Sequence, residues 1–255
     1  APHRFALCFP DVYEIGMSHL GSRILYHVLN RREDTYCERC FAPWGDMERQ
    51  LRERQLPLFS LETRTPLSAF DVVGFSLLYE MCYTNLLNML DLSGIPLYSR
   101  DRGADMPLVL CGGPCACNPE PLAEFADAVM LGDGEELIND VMDCVAAAKK
   151  DKLSRAETLR LLSKIEGVYV PSFYQARYDE SGLFAGLDPV EPGAPKTIRR
   201  RVVLDLDAAP FIGQPIVPNL AIVHDRVALE LFRGCTRGCR FCQAGFLYRP
   251  VRERR

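Results

Sequence analysis

Three features are scarce in this chain: histidine, apolar runs of membrane-spanning length and an excess of positive charge. Only four of the 255 residues are histidines, and none of them follows Cys242. No apolar stretch reaches the roughly 20 residues needed to cross a bilayer, so we expect no membrane-embedded part. Lys and Arg number 30 against 34 Asp and Glu, a net charge of -4. This balance argues against a general nucleic-acid-binding surface, although a local one stays open.

Cysteine, by contrast, is abundant. Eleven cysteines in a chain with 48% hydrophobic and 25% charged residues indicate metal chemistry in a reducing compartment rather than a disulfide framework. The first five residues lead directly into an apolar stretch without the layout of a signal peptide. We therefore expect a cytoplasmic protein of one or two domains.

The most informative stretch lies near the end of the chain. Cys235, Cys239 and Cys242 have the spacing C-x3-C-x2-C and directly follow the apolar run 227–232, which predicts a buried strand. Three thiolates on one tight loop can converge on an iron–sulfur cluster, which leaves one iron of a four-iron cube free. Zinc would need a fourth ligand nearby, and no histidine or cysteine follows. The alternative is a surface cysteine group without metal, which the glycines and the preceding strand disfavour.

This stretch resembles the signature loop of the radical S-adenosylmethionine (SAM) enzymes, whose pattern is C-x3-C-x-aromatic-C, with Phe241 as the aromatic residue. The resemblance implies that Cys235, Cys239 and Cys242 hold a [4Fe-4S] cluster whose open iron takes the amino and carboxylate groups of SAM. One electron would then cleave SAM to a 5′-deoxyadenosyl radical. The resemblance also implies that the loop follows the first strand of a β/α barrel.

The preceding part of the chain alternates short apolar strands with helices. Strands are predicted at 4–10, 37–43, 71–78, 108–113 and 127–131. Helices are predicted at 18–30, 46–55, 83–93 and 119–125, and a further helix opens at 132–136 and runs to about 150. This alternation predicts an open, mostly parallel α/β sheet, in which ligands bind at the carboxyl ends of the strands. Four loops at those ends suit a closely approaching ligand: 11–16, 76–78, 112–113 and 132–135.

That region resembles a cobalamin-binding domain of the flavodoxin-like, doubly wound type. The family carries D-x-H-x-x-G after its first strand, S-x-L after its third and GG after its fourth, corresponding here to residues 11–16, 76–78 and 112–113. Tyr13 occupies the histidine position, so the residue that ligates cobalt from below is missing. The domain either binds cobalamin without that ligand or has become structural. His19 and His27 are predicted on the following helix rather than at the cobalt.

Two sets of candidate site residues follow from these resemblances. The candidate metal ligands are Cys235, Cys239 and Cys242. The candidate cofactor-binding residues are Asp11, Tyr13, Gly16, Ser76, Leu78, Gly112, Gly113, Gly132, Gly134, Glu135 and Phe241.

The chain between these two regions is predicted to be a linker. Ser154 and Glu157 form a capping box at the start of a helix over 154–165. Short strands are predicted at 167–171, 173–178 and 202–206, with a Gly- and Pro-rich loop at 179–195. We expect a cobalamin-binding-like domain at 1–150, a linker region at 151–222 and the start of a barrel at 223–255. A complete barrel needs on the order of 150–200 further residues, so we expect a truncated one.

The remaining cysteines and the basic tail allow two interpretations each. Cys37 and Cys40 lie on opposite faces of a strand, which favours a structural role over a metal or redox pair. Cys111, Cys115 and Cys117 surround the double glycine, either as an auxiliary cluster lacking an obvious fourth ligand or as packing residues. The last seven residues contain four arginines: Arg249, Arg252, Arg254 and Arg255. We interpret them as the solvated start of a helix, and an arm that binds nucleic acid is the less favoured alternative.

The resemblance covers nearly the whole chain and implies a radical SAM enzyme that uses a [4Fe-4S] cluster, SAM and cobalamin. Radical SAM enzymes with a cobalamin-binding domain often transfer methyl groups, and some rearrange rings or insert sulfur, so the resemblance implies methyl transfer or related radical chemistry on an unknown substrate. The cofactors supply the reactive groups, and the protein positions them. We expect the fragment alone to be inactive, and a reducing partner such as flavodoxin or ferredoxin. The alternatives are a cobalamin-free radical SAM enzyme with a docking domain and a non-enzymatic cobalamin or iron–sulfur binding module.

Overall fold

A computed structural model describes residues 1–255. Five parallel strands form the central sheet: β1 His3–Phe9, β2 Thr35–Phe41, β3 Val72–Ser76, β4 Leu108–Gly112 and β5 Ala128–Met130. A sixth strand, β6 Val168–Tyr169, pairs antiparallel with β5. The spatial order is β2-β1-β3-β4-β5-β6, and its first five strands follow the flavodoxin-like order. The predicted open, mostly parallel α/β sheet is therefore confirmed.

Six α-helices accompany the sheet: α1 Tyr13–Gly16, α2 Leu20–Asn30, α3 Gly45–Glu53, α4 Tyr83–Leu92, α5 Gly134–Lys150 and α6 Arg155–Leu162. The capping box of α6 is confirmed, because Ser154 accepts from the Glu157 backbone and donates its own N–H back to the Glu157 carboxylate at 2.8 Å. The helix predicted at 119–125 is a single short 3-10 turn, Glu120–Leu122. None of the helices has both the length and the apolar character needed to span a bilayer.

Apolar side chains cover both faces of the sheet. Ala6 and Cys8 of β1 belong to the core formed with α3 and α4, whereas Phe5 and Leu7 belong to the core formed with α2, α5 and α6. This double burial explains why the central strands are apolar throughout. Cys37 and Cys40 fall into the two different cores, which confirms that they lie on opposite faces of β2 and agrees with a packing role.

A buried ion cluster fixes the start of β5. The Asp127 carboxylate, 1% exposed, contacts Arg155 at 2.6 Å and the fully buried Arg102 at 3.3 Å. It also accepts a hydrogen bond from the backbone N–H of Val109 at 2.7 Å. Because two guanidinium groups share one carboxylate inside the protein, the loss of this carboxylate would leave buried charge uncompensated.

The segment after the sheet departs from the expected linker in two places. Strands β7 Tyr174–Tyr178 and β8 Phe184–Pro189 form a hairpin, so the loop predicted at 179–195 contains a strand. Asp179 makes the turn by accepting hydrogen bonds from the backbone of Ser181 and Leu183. The strand predicted at 202–206 is absent, because the Val203 N–H donates to the Asp133 carboxylate at 2.8 Å instead of joining a ladder.

The cysteine loop is closed by a small antiparallel ribbon. Strand β9 Phe232–Arg233 pairs with β10 Arg252–Glu253, and helix α7 Ala244–Leu247 lies between them. The buried strand predicted over 227–232 is wrong: Leu229 and Leu231 are 65% and 67% exposed. The physical reason is that only the end of this run has a hydrogen-bonded partner strand.

The basic tail also differs from its prediction of a solvated helix start. Arg252 is only 6% exposed and pairs with Asp133, and Arg254 pairs with Glu230 at 3.0 Å. Carboxylates from other parts of the chain replace solvent as the partners of these two guanidinium groups. The local sequence pattern does not reveal these partners.

Candidate cofactor site

A cavity of ≈ 440 Å³ opens at the carboxyl edge of the sheet. Phe5 and Leu7 of β1, Leu110 of β4 and Ile138 of α5 contribute apolar surface to it, and α2 forms another side. The strand order reverses between β1 and β3, and this reversal is where flavodoxin-like sheets bind ligands. The volume lies within the range of small-molecule and cofactor pockets.

The double glycine at the end of β4 forms one wall of the cavity. Gly113 has φ +100°, and a Cβ there would lie 2.5 Å from the carbonyl oxygen of Leu77. Only glycine therefore allows this turn so close to the end of β3. The Leu77 N–H donates to the Gly112 oxygen at 2.7 Å, which ties the two strand ends together.

The structure brings some of the sequence-predicted residues together and leaves others apart. Ser76, Gly112, Gly113, Gly132, Gly134 and Glu135 all line the cavity. Asp11, Tyr13, Gly16, Leu78 and Phe241 do not line it. Three of the four predicted strand-end loops thus meet at one cavity, and the loop after β1 lies outside it.

The loop after β1 is held by other contacts. Asp11 accepts a hydrogen bond from the Tyr79 hydroxyl at 2.9 Å, and this bond raises the pKa of Tyr79. The Tyr13 hydroxyl accepts from the backbone N–H of Asn219 at 3.1 Å. At Gly16 a Cβ would lie 2.2 Å from the Phe41 ring, so packing accounts for this glycine. The later chain therefore contacts Tyr13, which stands where the cobalamin-binding family has its histidine.

The histidine that lines the cavity is His19, the N-cap of α2. Its Nδ1 accepts from the backbone N–H of Ser22 at 3.1 Å. Because Nδ1 accepts, Nε2 carries the ring proton in the neutral form. Burial lowers the pKa of His19 to about 4, so the ring is neutral at pH 7. His19 was expected on the following helix, and it is the N-cap residue of that helix. Its position in the lining of the cavity is a finding of the structure.

The three signature cysteines lie on the loop between β9 and β10. Cys239 is exposed, Cys235 and Cys242 are partly buried, and none is in a disulfide. The Cys242 N–H donates to the Cys239 oxygen at 3.1 Å, which makes a tight turn. No three His, Cys, Asp or Glu side chains are grouped to hold a single metal ion. Three free thiols on one accessible loop are the donor type that iron–sulfur clusters use.

A charged cluster joins the cavity to the cysteine loop. We call it the Arg233 cluster; its members are Asp133, Glu135, Glu230, Arg233 and Arg252. Arg233 pairs with Glu135, with Asp133 at 3.3 Å and with Glu230 at 2.6 Å, and Arg252 pairs with Asp133. Burial opposes the charge on Arg233, but hydrogen bonds to Glu230 and Glu135 outweigh it and raise the pKa of Arg233. Arg233 and Gly234 both line the cavity, and the next residue is Cys235.

Residues 21–171 match the family model described as radical SAM proteins, N-terminal. The chain belongs to this family. An uncharacterized protein of Methanocaldococcus jannaschii is 27% identical over 253 residues, which cover 98% of this chain and 43% of that relative. The chain thus spans less than half the length of the curated relative it matches. No solved structure matches the chain.

Membership in the radical SAM family narrows the chemistry of the site. It implies SAM as a cofactor and, usually, a [4Fe-4S] cluster. The match covers strands β2 to β6 and ends before the cysteine loop. The assignment of Cys235, Cys239 and Cys242 as ligands therefore rests on their spacing and on their free thiols.

The other cysteine group of this radical SAM protein is poorly suited to an auxiliary cluster. Cys111 and Cys115 are buried, and burial raises the pKa of the Cys111 thiol to about 12 and that of Cys115 to about 11. Both residues belong to the hydrophobic core on one face of the sheet. Cys117 is exposed, and its sulfur lies 3.6 Å from Nε2 of Gln243, next to Cys242. These positions favour packing for the first two.

Sequence reasoning missed several residues of this site. His19 gave no signal because an N-cap histidine resembles any polar residue before a helix. Asp133 and Arg233 lie 100 residues apart, and their pairing depends on the fold. The one local signal was Glu230, a charged residue inside the apolar run 227–232, which is typical of a side chain with a buried partner.

Proposed function

We propose that this chain forms the cluster-bearing and cobalamin-binding part of a radical SAM enzyme. The observation that carries the proposal is the shared wall: the cavity at the sheet edge is lined by Arg233 and Gly234, directly before Cys235. A cofactor in the cavity and a cluster on the loop would thus be neighbours. When bound, the cluster would supply the electron that cleaves SAM.

The thiols of Cys235, Cys239 and Cys242 would hold the cluster, and Gly238 leaves room beside the loop for it. At Gly238 a Cβ would meet nothing within 4 Å, so the loop has open space on that side. Phe241 is 92% exposed, which leaves its ring available to SAM. The electron would come from a reducing partner of the flavodoxin or ferredoxin kind.

The cavity of ≈ 440 Å³ is too small for a whole cobalamin and would hold its nucleotide portion, which consists of a planar base, a sugar and a phosphate. Its apolar surface from Phe5, Leu7 and Ile138 suits a planar base, and the glycines at 112, 113 and 132 allow a sugar and phosphate to approach the backbone. His19 also lines the cavity, and its Nε2–H could donate a hydrogen bond to the bound ligand. When bound, cobalamin would carry a methyl group for transfer to an unknown substrate. From the two resemblances we propose the division of the chain into residues 1–150, 151–222 and 223–255, in which α6 and β6 of the middle region pack onto the sheet domain.

Cobalamin binding tests this proposal with a matched pair of variants. The chain is incubated anaerobically with hydroxocobalamin, desalted and examined by absorbance. A Cβ at Gly112 would lie 3.6 Å from Met130 at the cavity wall, so the larger valine side chain takes up space there, whereas a Cβ at Gly213 would meet nothing within 4 Å. We expect retention by the wild type and Gly213→Val, with a spectrum lacking an axial histidine, and reduced retention by Gly112→Val. If the wild type retained no hydroxocobalamin after desalting, the proposed cobalamin binding would be wrong.

A second candidate is a radical SAM enzyme whose sheet domain binds no cobalamin and serves for docking. The observation that favours it is Tyr13, which replaces the axial histidine and is bonded to Asn219. A cobalamin-free preparation of the full-length protein that still forms 5′-deoxyadenosine from SAM would support this candidate. That product would also exclude a purely non-enzymatic binding module.

A further inference from the structure

The inference concerns Arg233, which lies between the cavity and the cysteine loop. Its side chain is 13% exposed and contacts carboxylates from two distant parts of the chain: Asp133 and Glu135 at the start of α5, and Glu230 before β9. Glu135 is itself 4% exposed. Three carboxylates on one guanidinium form a more specific arrangement than a surface ion pair.

The ribbon that closes the cysteine loop depends on this arrangement. Arg233 of β9 lies directly opposite Arg252 of β10, and like charges at directly opposite positions destabilise a strand pair. Asp133 contacts both guanidinium groups and therefore offsets their repulsion. The loop 234–251 is thus closed by two arginines that a carboxylate from the sheet edge holds together.

The dependence runs in both directions. The carboxylate of Glu135 has Arg233 as its ion-pair partner, and a buried carboxylate that loses its partner is strongly destabilised. Both residues line the cavity. A ligand in the cavity therefore contacts the same ion pair that anchors the first turn of the cysteine loop.

We propose that Arg233 is a positioning residue that couples the cavity to the cysteine loop, so that a ligand in the cavity orders the loop and an ordered loop favours the ligand. Such coupling is reciprocal and commonly amounts to about 5–150-fold in affinity. The proposal rests on the proposed function for the identity of the ligand and the cluster. The anchoring of the loop by Arg233 stands on the contacts alone.

Backbone hydrogen exchange of residues 234–248, without any cofactor, tests the anchoring. We expect the backbone amides to exchange about tenfold faster in Arg233→Gln than in the wild type. Arg233→Lys keeps the positive charge but not the planar set of guanidinium donors, so its exchange rate should lie between the two. The control is Glu136→Gln, on the same helix, whose carboxylate is 56% exposed and pairs with Arg201. Exchange in Arg233→Gln within twofold of the wild type would overturn the inference. Should Arg233→Gln fail to fold, Glu135→Gln tests the same pair and carries the same expectation.

Reconstitution with iron and sulfide separates this inference from the proposed function. We expect Arg233→Gln to bind iron but to give a reduced-cluster EPR spectrum and a midpoint potential different from the wild type, and Arg233→Lys to restore part of the wild-type spectrum. A wild type that forms no cluster would contradict the proposed function, and hydrogen exchange would still decide the role of Arg233. A wild-type cluster with identical spectra and exchange in Arg233→Gln would contradict the inference alone.

Discussion

Replacing Gly113 by alanine tests the turn that forms the cavity wall. Gly113 has φ +100° and ψ -179°, a region that is essentially restricted to glycine and costs other residues about 1–3 kcal/mol. The new Cβ would also lie 2.5 Å from the Leu77 oxygen and 2.9 Å from its nitrogen. Both Leu77 atoms are hydrogen-bonded, the nitrogen to Gly112 at 2.7 Å and the oxygen to Cys115 at 3.3 Å.

The expected cost follows from these contacts. Each weakened hydrogen bond contributes about 0.5–1.5 kcal/mol, so the strain and the two bonds together destabilise Gly113→Ala by about 2–6 kcal/mol. For a chain of this size the melting temperature falls by about 2–4 °C for each kcal/mol, which predicts a decrease of about 4–24 °C. The strain should also move the end of β3 and lower the retention of hydroxocobalamin.

The neighbouring glycine provides the control. At Gly112 a Cβ would lie 3.6 Å from the nearest atom, and φ is outside the left-handed region, so Gly112→Ala should stay within about 1 kcal/mol of the wild type. Urea unfolding followed by circular dichroism gives both free energies. If Gly113→Ala were as stable as Gly112→Ala, the described turn at the end of β4 would be incorrect.

Two further predictions concern charge inside the fold. Asp127→Asn should destabilise the protein by about 3–5 kcal/mol, since it leaves the buried Arg102 and Arg155 uncompensated. The control is Asp188→Asn, which removes a carboxylate from an ion pair 55% exposed on both sides and should cost at most about 1 kcal/mol. Equal losses of unfolding free energy in urea would contradict this prediction. Burial lowers the pKa of His19 from 6.5 to about 4, so the unfolded chain binds more protons between these values and stability should fall by roughly 1–3 kcal/mol as the pH drops from 6.5 to 4. His19→Asn keeps an N-cap acceptor without a titrating ring, and an equal loss of stability in this variant would show that other groups cause the decrease.

The sheet was predictable because its signals are local. Each buried strand is a short apolar run, each helix has its own periodicity, and a parallel α/β sheet has few arrangements. The predicted strands also gave the positions of the strand ends, where Ser76, Gly112 and Gly132 line the cavity. The capping box at Ser154 was equally local, since both of its hydrogen bonds lie within four residues.

The rest depended on contacts between distant residues. Nothing near Arg233 indicates that its partners are Asp133 and Glu135, and nothing near Arg252 predicts its burial. The run 227–232 has the composition of a buried strand, but composition does not supply the neighbouring strand that would bury it. The sequence places Tyr13 after the first strand, whereas the contact of its hydroxyl with Asn219, 206 residues away, depends on the fold.

The assignment of Cys235, Cys239 and Cys242 as cluster ligands is tested most directly by iron and sulfide analysis with EPR after anaerobic reconstitution. The matched variants are Cys239→Ala, which removes a proposed ligand, and Cys117→Ala, which removes another exposed thiol. We predict about four irons and four sulfides per chain, with an EPR signal that SAM alters, in the wild type and in Cys117→Ala. Cys239→Ala should lose both. A full iron load and an unchanged SAM-responsive signal in Cys239→Ala would contradict the account.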